Sequence, residues 1–387
     1  MVKNNCGILF VGAFDLLDDN NIAASAAGNQ VQLEILDCLE NIGAVFSNKD
    51  VQSVSLKQIR TWPFGPFLWP GFRGPRLYMP PFINLAGLKR FLFSFFLFFL
   101  LLLRRPDVIF KYNITAVEAF ALLIYRKINR SAVLVAIIQD VHYSKNNSFG
   151  IRNFLELLAM KLVSKFDILI PISEKIGIDF SFSPNKTRVF RGGLTRQGRC
   201  LLSGRGDDIS HYAVFAGALV PYNGIDVLIR KWTSENIDMD LHIFGKGVSE
   251  SAVRDAASKN PRIIFHGFRP EEEISHWQKK ALINFCLRYS EGIEAGYFFP
   301  SKLYNIICAP GAVVANNFEG FPSELSNSCL MLADDLSDFS QKIEKARNST
   351  ELISMRNSRR KWIEENGNWN SVVREIFEGL SLKSRRG

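Results

Sequence analysis

Apolar residues in this chain gather into short runs, each stopped by glycine or a polar turn and followed by a segment with helical spacing. In the second half the runs are Ala213 to Leu219, Leu241 to Phe244, Ile263 to Phe265, Ala281 to Cys286 and Gly311 to Ala315. Runs without polar alternation read as strands covered on both faces. Helical segments between them, such as Gly224 to Ile229, predict a parallel sheet wound with helices. The first half repeats the pattern. Gly7 to Gly12 is a strand ending on glycine, and Ala27-Gly28-Asn29 leads into a helix whose Gln32, Leu33, Ile35, Leu36 and Leu39 share one face. Arg105 to Lys111, Ala132 to Ile138, Asp167 to Ile172 and Thr187 to Gly193 supply further strands, with Ser173 placed to cap the helix from Glu174.

Two cores are expected. Residues 1–194 form the first domain, the polar, glycine-bearing stretch 195–211 is the linker, and 212–365 form the second domain. In the last part, 366–387, Val372, Val373, Ile376, Phe377 and Leu380 make a helical stripe ahead of a basic tail.

One stretch breaks the pattern. Phe91 to Leu103 is almost wholly apolar between Lys89-Arg90 and Arg104-Arg105. As a helix it would span roughly 20 Å, short of the roughly 30 Å hydrocarbon core, so a transmembrane span is disfavoured. A helix covering a sheet needs one greasy face, and this one has two. The expectation is that one face packs on the sheet and the other enters a bilayer interface. The aromatic and basic segment Trp62 to Arg73 would assist it, making 62–103 a membrane-associating segment. A helix buried on all sides is the alternative.

The length of 387 residues and 47% hydrophobic content fit two ordinary domains and exclude a largely disordered chain. A net charge of +9 suits anionic surfaces or substrates. Nucleic acid is disfavoured, because no recognisable nucleic-acid module is present. Six cysteines without paired spacing point to reduced thiols in a cytosolic setting, not a disulfide or zinc framework. The start lacks the apolar run of a secretory signal.

The most informative motif is Phe298-Phe299-Pro300-Ser301-Lys302-Leu303-Tyr304-Asn305, followed by Gly311 to Ala315 and Asn316-Asn317. Pro-Ser opens a helix where backbone N–H groups are unpaired, and Lys302 adds positive charge, so the segment is suited to hold an anion. Together with the Gly217-Ala218-Leu219 turn, the Phe244-Gly245-Lys246-Gly247 turn and the His266-Gly267-Phe268 turn, it resembles the retaining, nucleotide-sugar-dependent glycosyltransferases of family four. The resemblance runs through most of the chain and is strongest from Ala213 to Asn317. It implies an α/β fold of the GT-B type, two Rossmann-like domains with parallel sheets facing an interdomain cleft.

The resemblance also implies roles. The nucleotide-sugar donor would be held by Gly217, Gly245, Lys246, Arg288, Ser301, Lys302, Leu303 and Asn305, without a metal or other cofactor; Lys246, Arg288 and Lys302 are the candidate cations for its diphosphate, and the Asn305 amide can hydrogen-bond ribose hydroxyls. Gly12 and Gly28 would line the acceptor side, where plain turn glycines are the other reading. His142 and Asp140, at the end of the strand Ala132 to Ile138, would touch the transferred sugar or acceptor, or merely cap a strand end. The chain departs from the family at three places. Ala218 stands where the family's arginine is expected, Asn223 where its lysine is expected, and Asn305 where the second of two glutamates is expected. The first of those falls on Tyr297, with Glu291 and Glu294 just upstream as out-of-register substitutes.

The expected activity is transfer of a hexose-type sugar from a UDP- or GDP-sugar to a lipid-linked or growing surface polysaccharide, with the enzyme peripheral on the inner face of the plasma membrane. An inactive homologue that binds a sugar nucleotide or partner enzyme, and a nucleotide-sugar epimerase of the same shape, are the alternatives. No protein base is compulsory if the leaving phosphate assists deprotonation of the acceptor. In an inverting enzyme Asp140 or His142 would be the base.

Overall fold

The structure, a computed structural model, describes residues 7–15, 26–46, 50–143, 150–204, 208–289, 295–297, 299, 302–333, 335–348 and 350–384. The chain divides into two compact units. The first comprises 1–191, 296–299 and 369–387, and the second 192–295 and 300–368.

The first unit is built from β1 (Ile8–Gly12), α1 (Ala26–Phe46), β2 (Val51–Ser55), β3 (Leu68–Trp69), β4 (Phe72–Arg73), β5 (Leu77–Met79), β6 (Phe82–Ile83) and α2 (Leu88–Arg104). It continues with β7 (Val108–Tyr112), α3 (Ala116–Ile128), β8 (Val133–Ile138), α4 (Ile151–Val163), β9 (Ile168–Pro171) and α5 (Glu174–Asp179). Seven strands form one sheet in the order β4-β5-β2-β1-β7-β8-β9, all parallel except the β4–β5 pair. The unbroken apolar runs are explained by burial: every residue of β1 and of β7 is buried.

The second unit holds α6 (Arg196–Leu202), β10 (Ser210–Ala216), α7 (Ile225–Ser234), β11 (Asp240–Phe244), α8 (Glu250–Lys259), β12 (Ile263–Gly267), α9 (Glu271–Lys280) and β13 (Ala281–Cys286). There follow α10 (Lys302–Ile306), β14 (Ala312–Asn316), β15 (Leu330–Leu332), α11 (Phe339–Asn348) and α12 (Leu352–Asn366). Its six parallel strands run β12-β11-β10-β13-β14-β15. Trp232, Phe285 and Phe339 pack edge-on or stacked at the centre of its core. The last helix, α13 (Trp369–Ser384), belongs to the first unit, where Trp369 packs on Phe190 and Phe377 on Phe110.

The stretch read as a linker is not simply irregular. Residues 196–202 form α6, which starts on a Thr195 cap and packs within the second unit against α9 and α10. Its glycine and basic residues hid a helix because the buried side, Gly198 and Leu201, is small or single.

α2 carries Phe93, Leu97 and Leu101 on its buried face, while Phe91, Phe95, Phe99 and Leu103 are exposed at four-residue intervals. No described helix is long and apolar enough to cross a membrane.

Candidate functional site

In a parallel sheet wound in both directions from its centre, ligands sit at the carboxyl ends of the two strands where the winding reverses. In the second unit the reversal falls between β10 and β13. Three glycine turns lie along the carboxyl ends of β10, β11 and β12. Gly217 has φ +149° and Gly245 φ +143°. A Cβ at Gly245 would sit 1.9 Å from the Gly217 carbonyl oxygen, and one at Gly247 would sit 2.2 Å from the Leu219 carbonyl oxygen. The turns are laced by backbone bonds from Gly217 N–H to Phe244 O, Leu219 N–H to Lys246 O and Gly245 N–H to Gly267 O. Close backbone approach requires glycine at 245 and 247, and positive φ favours it at 217 and 267, leaving bare main chain at these strand ends.

Lys302 reaches this place from α10. Its ammonium is buried, has no hydrogen-bond partner among the described residues, and lies 5.0 Å over the Phe215 ring. A side chain at Gly217 would begin 3.7 Å from it. Burial lowers the Lys302 pKa, neighbouring Cys286 opposes this, and the Arg288 charge adds to the lowering. Burial keeps Cys286 a neutral thiol by raising its pKa. Among the described residues the lysine therefore has a ring face but no counter-charge. An unpaired buried ammonium costs several kcal/mol, and a cation–π contact returns about 0.5–2. An anion beside it would offset that cost.

Arg288 follows β13 and lies at the same reversal point. Its guanidinium stacks 4.7 Å from the Tyr222 ring centre and donates to Asn223 Oδ1 at 3.4 Å. Its main chain is fixed on both sides by Asn316, which accepts from Arg288 N–H at 2.8 Å and donates to its carbonyl at 2.7 Å. Asn316 stands at the end of β14, and sequence reading passed over its role; its position directly after the Gly311 to Ala315 run is the signal that marks it.

The other donor-side residues divide. Lys246 is solvent-exposed and lies over Phe268 at 4.8 Å. Leu303 is wholly buried in the core. Asn305 is buried, with Oδ1 accepting from Thr195 Oγ1 at 2.8 Å and Nδ2 donating to Gln197 Oε1 at 2.9 Å, so its amide ties α10 to α6. It is not presented to a ribose, because that tie occupies the side chain. Asn223 likewise turns inward and donates to the Ala218 carbonyl. α10 has five residues, so its dipole adds little to anion binding, and the charge of Lys302 is what counts. Ser301, Glu291 and Glu294 lie outside the described residues.

In the first unit the winding reverses between β1 and β7. Gly12 ends β1, where an added Cβ would strike Gln32 Oε1 at 2.4 Å. Gln32 holds Ala13 through both its amide atoms, and Asn29 holds Asp15 in the same way. Ser55 closes on Phe14. Gly28 lies inside α1, not ahead of it, and its carbonyl accepts from Gln32. Residues 13–15 are thus tied down, and Asp15 forms a buried ion pair with Lys57.

Asp140 is exposed just beyond β8. Asn113, at φ +38° after β7, fixes it: Asn113 Nδ2 donates to Asp140 Oδ2 at 2.7 Å, and Asn113 Oδ1 accepts from the Gln139 and Asp140 N–H groups. Asn113 is a positioning residue that the strand pattern alone does not reveal. His142 is exposed, and its backbone N–H donates to Glu156 at 3.2 Å. Among the described residues no cluster of His, Cys, Asp and Glu is arranged to hold a metal ion.

Residues 207–369 match the model of the family described as Glycosyl transferases group 1. No curated protein sequence matches the chain. Among solved structures, HepE of Anabaena in complex with UDP is similar with a TM-score of 0.63 and 14% identity, covering 97% of this chain and 99% of that one. Sucrose-phosphate synthase of Thermosynechococcus elongatus gives 0.66 and 12%, covering 98% and 100%. α,α-Trehalose 6-phosphate synthase of Burkholderia multivorans gives 0.67 and 10%, covering 98% of each chain. The fold is GT-B, with a Rossmann-like region in each unit.

Proposed function

We propose that the protein is a glycosyltransferase whose second unit binds a nucleotide sugar, with Lys302 and Arg288 meeting the diphosphate. The observation that carries this reading is the buried Lys302 ammonium, without a hydrogen-bond partner among the described residues, beside the bare backbone of Gly217 at the reversal point of the sheet. Cleavage of a sugar–phosphate bond builds negative charge on the leaving diphosphate, and a cation already stripped of water stabilises that charge strongly. Family arginine and lysine are replaced by Ala218 and Asn223, and Arg288 and Lys302 bring two positive charges back to the same strand ends from other elements.

UDP is the first nucleotide to test, since HepE is described in complex with UDP and with UDP-glucose. In this reading the enzyme belongs with the retaining family-four transferases, needs no metal, and works at the inner face of the plasma membrane. Its acceptor is a lipid-linked or growing surface glycan, and Asp140, held by Asn113, serves the acceptor side. The exposed ridge of α2 supports the membrane contact.

A second reading, a homologue that binds a sugar nucleotide without transferring the sugar, is favoured by the inward-turned Asn223 and Asn305. Release of nucleotide diphosphate from a panel of UDP- and GDP-sugars, with and without a polyprenyl-linked acceptor, separates them. Acceptor-dependent release supports transfer, and binding without release supports the second reading.

A further inference from the structure

The exposed ridge of α2 leads into a cavity. About 310 Å³ lies between α2 and the face of the sheet formed by β1, β2 and β5, all within the first unit. Phe96, Phe99, Leu100 and Leu103 wall it on the helix side, and Arg73, Arg76 and Arg104 lie along its lining. Phe99 and Leu103 belong both to this wall and to the solvent-exposed ridge that begins at Phe91. A slot with an apolar helix-side wall continuous with an exposed apolar ridge, and with Gln52, Ser53, Tyr78 and three guanidinium groups on its other sides, has two chemistries to satisfy. One is a hydrocarbon chain; the other is a planar-coordinated oxyanion, for which arginine is the preferred donor.

The arginines are not consumed by the protein. Arg76 makes one exposed contact, to Glu40 Oε2 at 3.2 Å, which is worth little. Arg73 and Arg104 have no polar partner among the described residues. Around the ridge, Lys89, Arg90 and Arg105 add to the same sign of charge. The surface continues onto α3 and α4, which expose Phe120, Ile151, Phe154 and Leu155.

We propose that this cavity binds one anionic phospholipid drawn from the bilayer, its chain lying between α2 and the sheet and its phosphate held by Arg73 and Arg104. The site presupposes the membrane contact proposed above, and it makes that contact selective for anionic lipid. It differs from the candidate sugar-transfer site, because its lining comes from the middle of the strands and from α2, not from the carboxyl ends of β1 and β7.

The test uses the full chain and two probes. Monomeric lysophosphatidylglycerol, below its micellar concentration, reads the cavity by calorimetry, with lysophosphatidylcholine as the uncharged control. Vesicles of phosphatidylcholine and phosphatidylglycerol read the membrane contact by flotation. Arg73→Ala with Arg104→Ala is expected to weaken lysophosphatidylglycerol binding by roughly tenfold or more. Leu100→Trp, which fills the slot, is expected to abolish it. Phe91→Ser with Phe95→Ser, outside the slot, is expected to reduce flotation while leaving the monomeric lipid bound.

Failure of the wild-type chain to bind lysophosphatidylglycerol, or equal binding of lysophosphatidylcholine, would overturn the proposal. Binding of farnesyl phosphate but not of lysophosphatidylglycerol would overturn it in favour of a lipid-linked acceptor. Self-association lost in Phe95→Ser, without lipid binding, would assign the face to a second copy of the chain. UDP binding, measured on the same samples, bears on the donor site alone and so keeps the two readings apart.

Discussion

Lys302 concentrates the residue-scale argument. Its charge is held in an apolar place at a cost that a bound diphosphate would remove, so Lys302→Ala is expected to lower kcat/KM for the sugar donor by about 2–4 kcal/mol. Unchanged kinetics in that variant would move the role to Arg288. Burial depresses the lysine's pKa below its ordinary value. A bound diphosphate would raise it again, so nucleotide binding is expected to take up protons at alkaline pH, read by comparing binding enthalpies in buffers of different ionisation heat. His242 gives a second pH signature. It is buried, its Nδ1 lies 2.8 Å from His266 Nε2, and burial, with the His266 charge adding to it, brings its pKa from 6.5 down to about 4. The folded chain then binds fewer protons than the unfolded one over that interval. Stability is full above 6.5 and falls as the pH drops toward 4, by about 1.4 kcal/mol per pH unit at most. His242→Gln should flatten that part of a stability–pH curve measured by urea unfolding.

At the scale of elements, two devices set the second unit's strand ends. The glycine turns after β10 and β11 touch backbone to backbone, and Gly245→Ala, at a positive φ and in collision with the Gly217 carbonyl, should lower stability and nucleotide affinity together. Arg359, wholly buried on α12, donates to the carbonyls of Ile307, Ala309, Gly311 and Ser328, which carry the chain from α10 into β14 and then from β14 to β15. Arg359→Ala strands four buried acceptors, and a loss of about 3–5 kcal/mol in urea unfolding is expected. Only the first device is visible in the sequence. Glycine after an apolar run announces a turn, whereas nothing in the spacing around Arg359 distinguishes a buried arginine from a solvated one.

At the scale of the molecule, the proposed membrane contact draws on the net charge of +9 and on the exposed apolar residues of the first unit's helices. Flotation with anionic vesicles should weaken as salt rises, since the screening length shortens to about 8 Å at physiological ionic strength and shorter beyond it. Retention in the soluble fraction at low salt would remove the membrane contact. Sugar transfer itself is checked by acceptor-dependent release of nucleotide diphosphate.

Strand runs, glycine turns, the double α/β pattern and the apolar identity of residues 91–103 were written in the sequence, because burial on both faces of a parallel sheet leaves an unbroken apolar signature. The fate of the polar residues was not. The Asn305 amide, suited by its chemistry to ribose hydroxyls, ties α10 to Thr195 and Gln197, and Asn113, which no motif marks, fixes Asp140. The polar stretch 195–211 hides a helix, and Arg73, Arg76 and Arg104 line one slot beneath α2. Hydrophobic burial is set by a residue's own chemistry and period. A polar group's role depends on which partner, tens of positions away, the folded chain brings within about 3 Å, and only tertiary structure decides that.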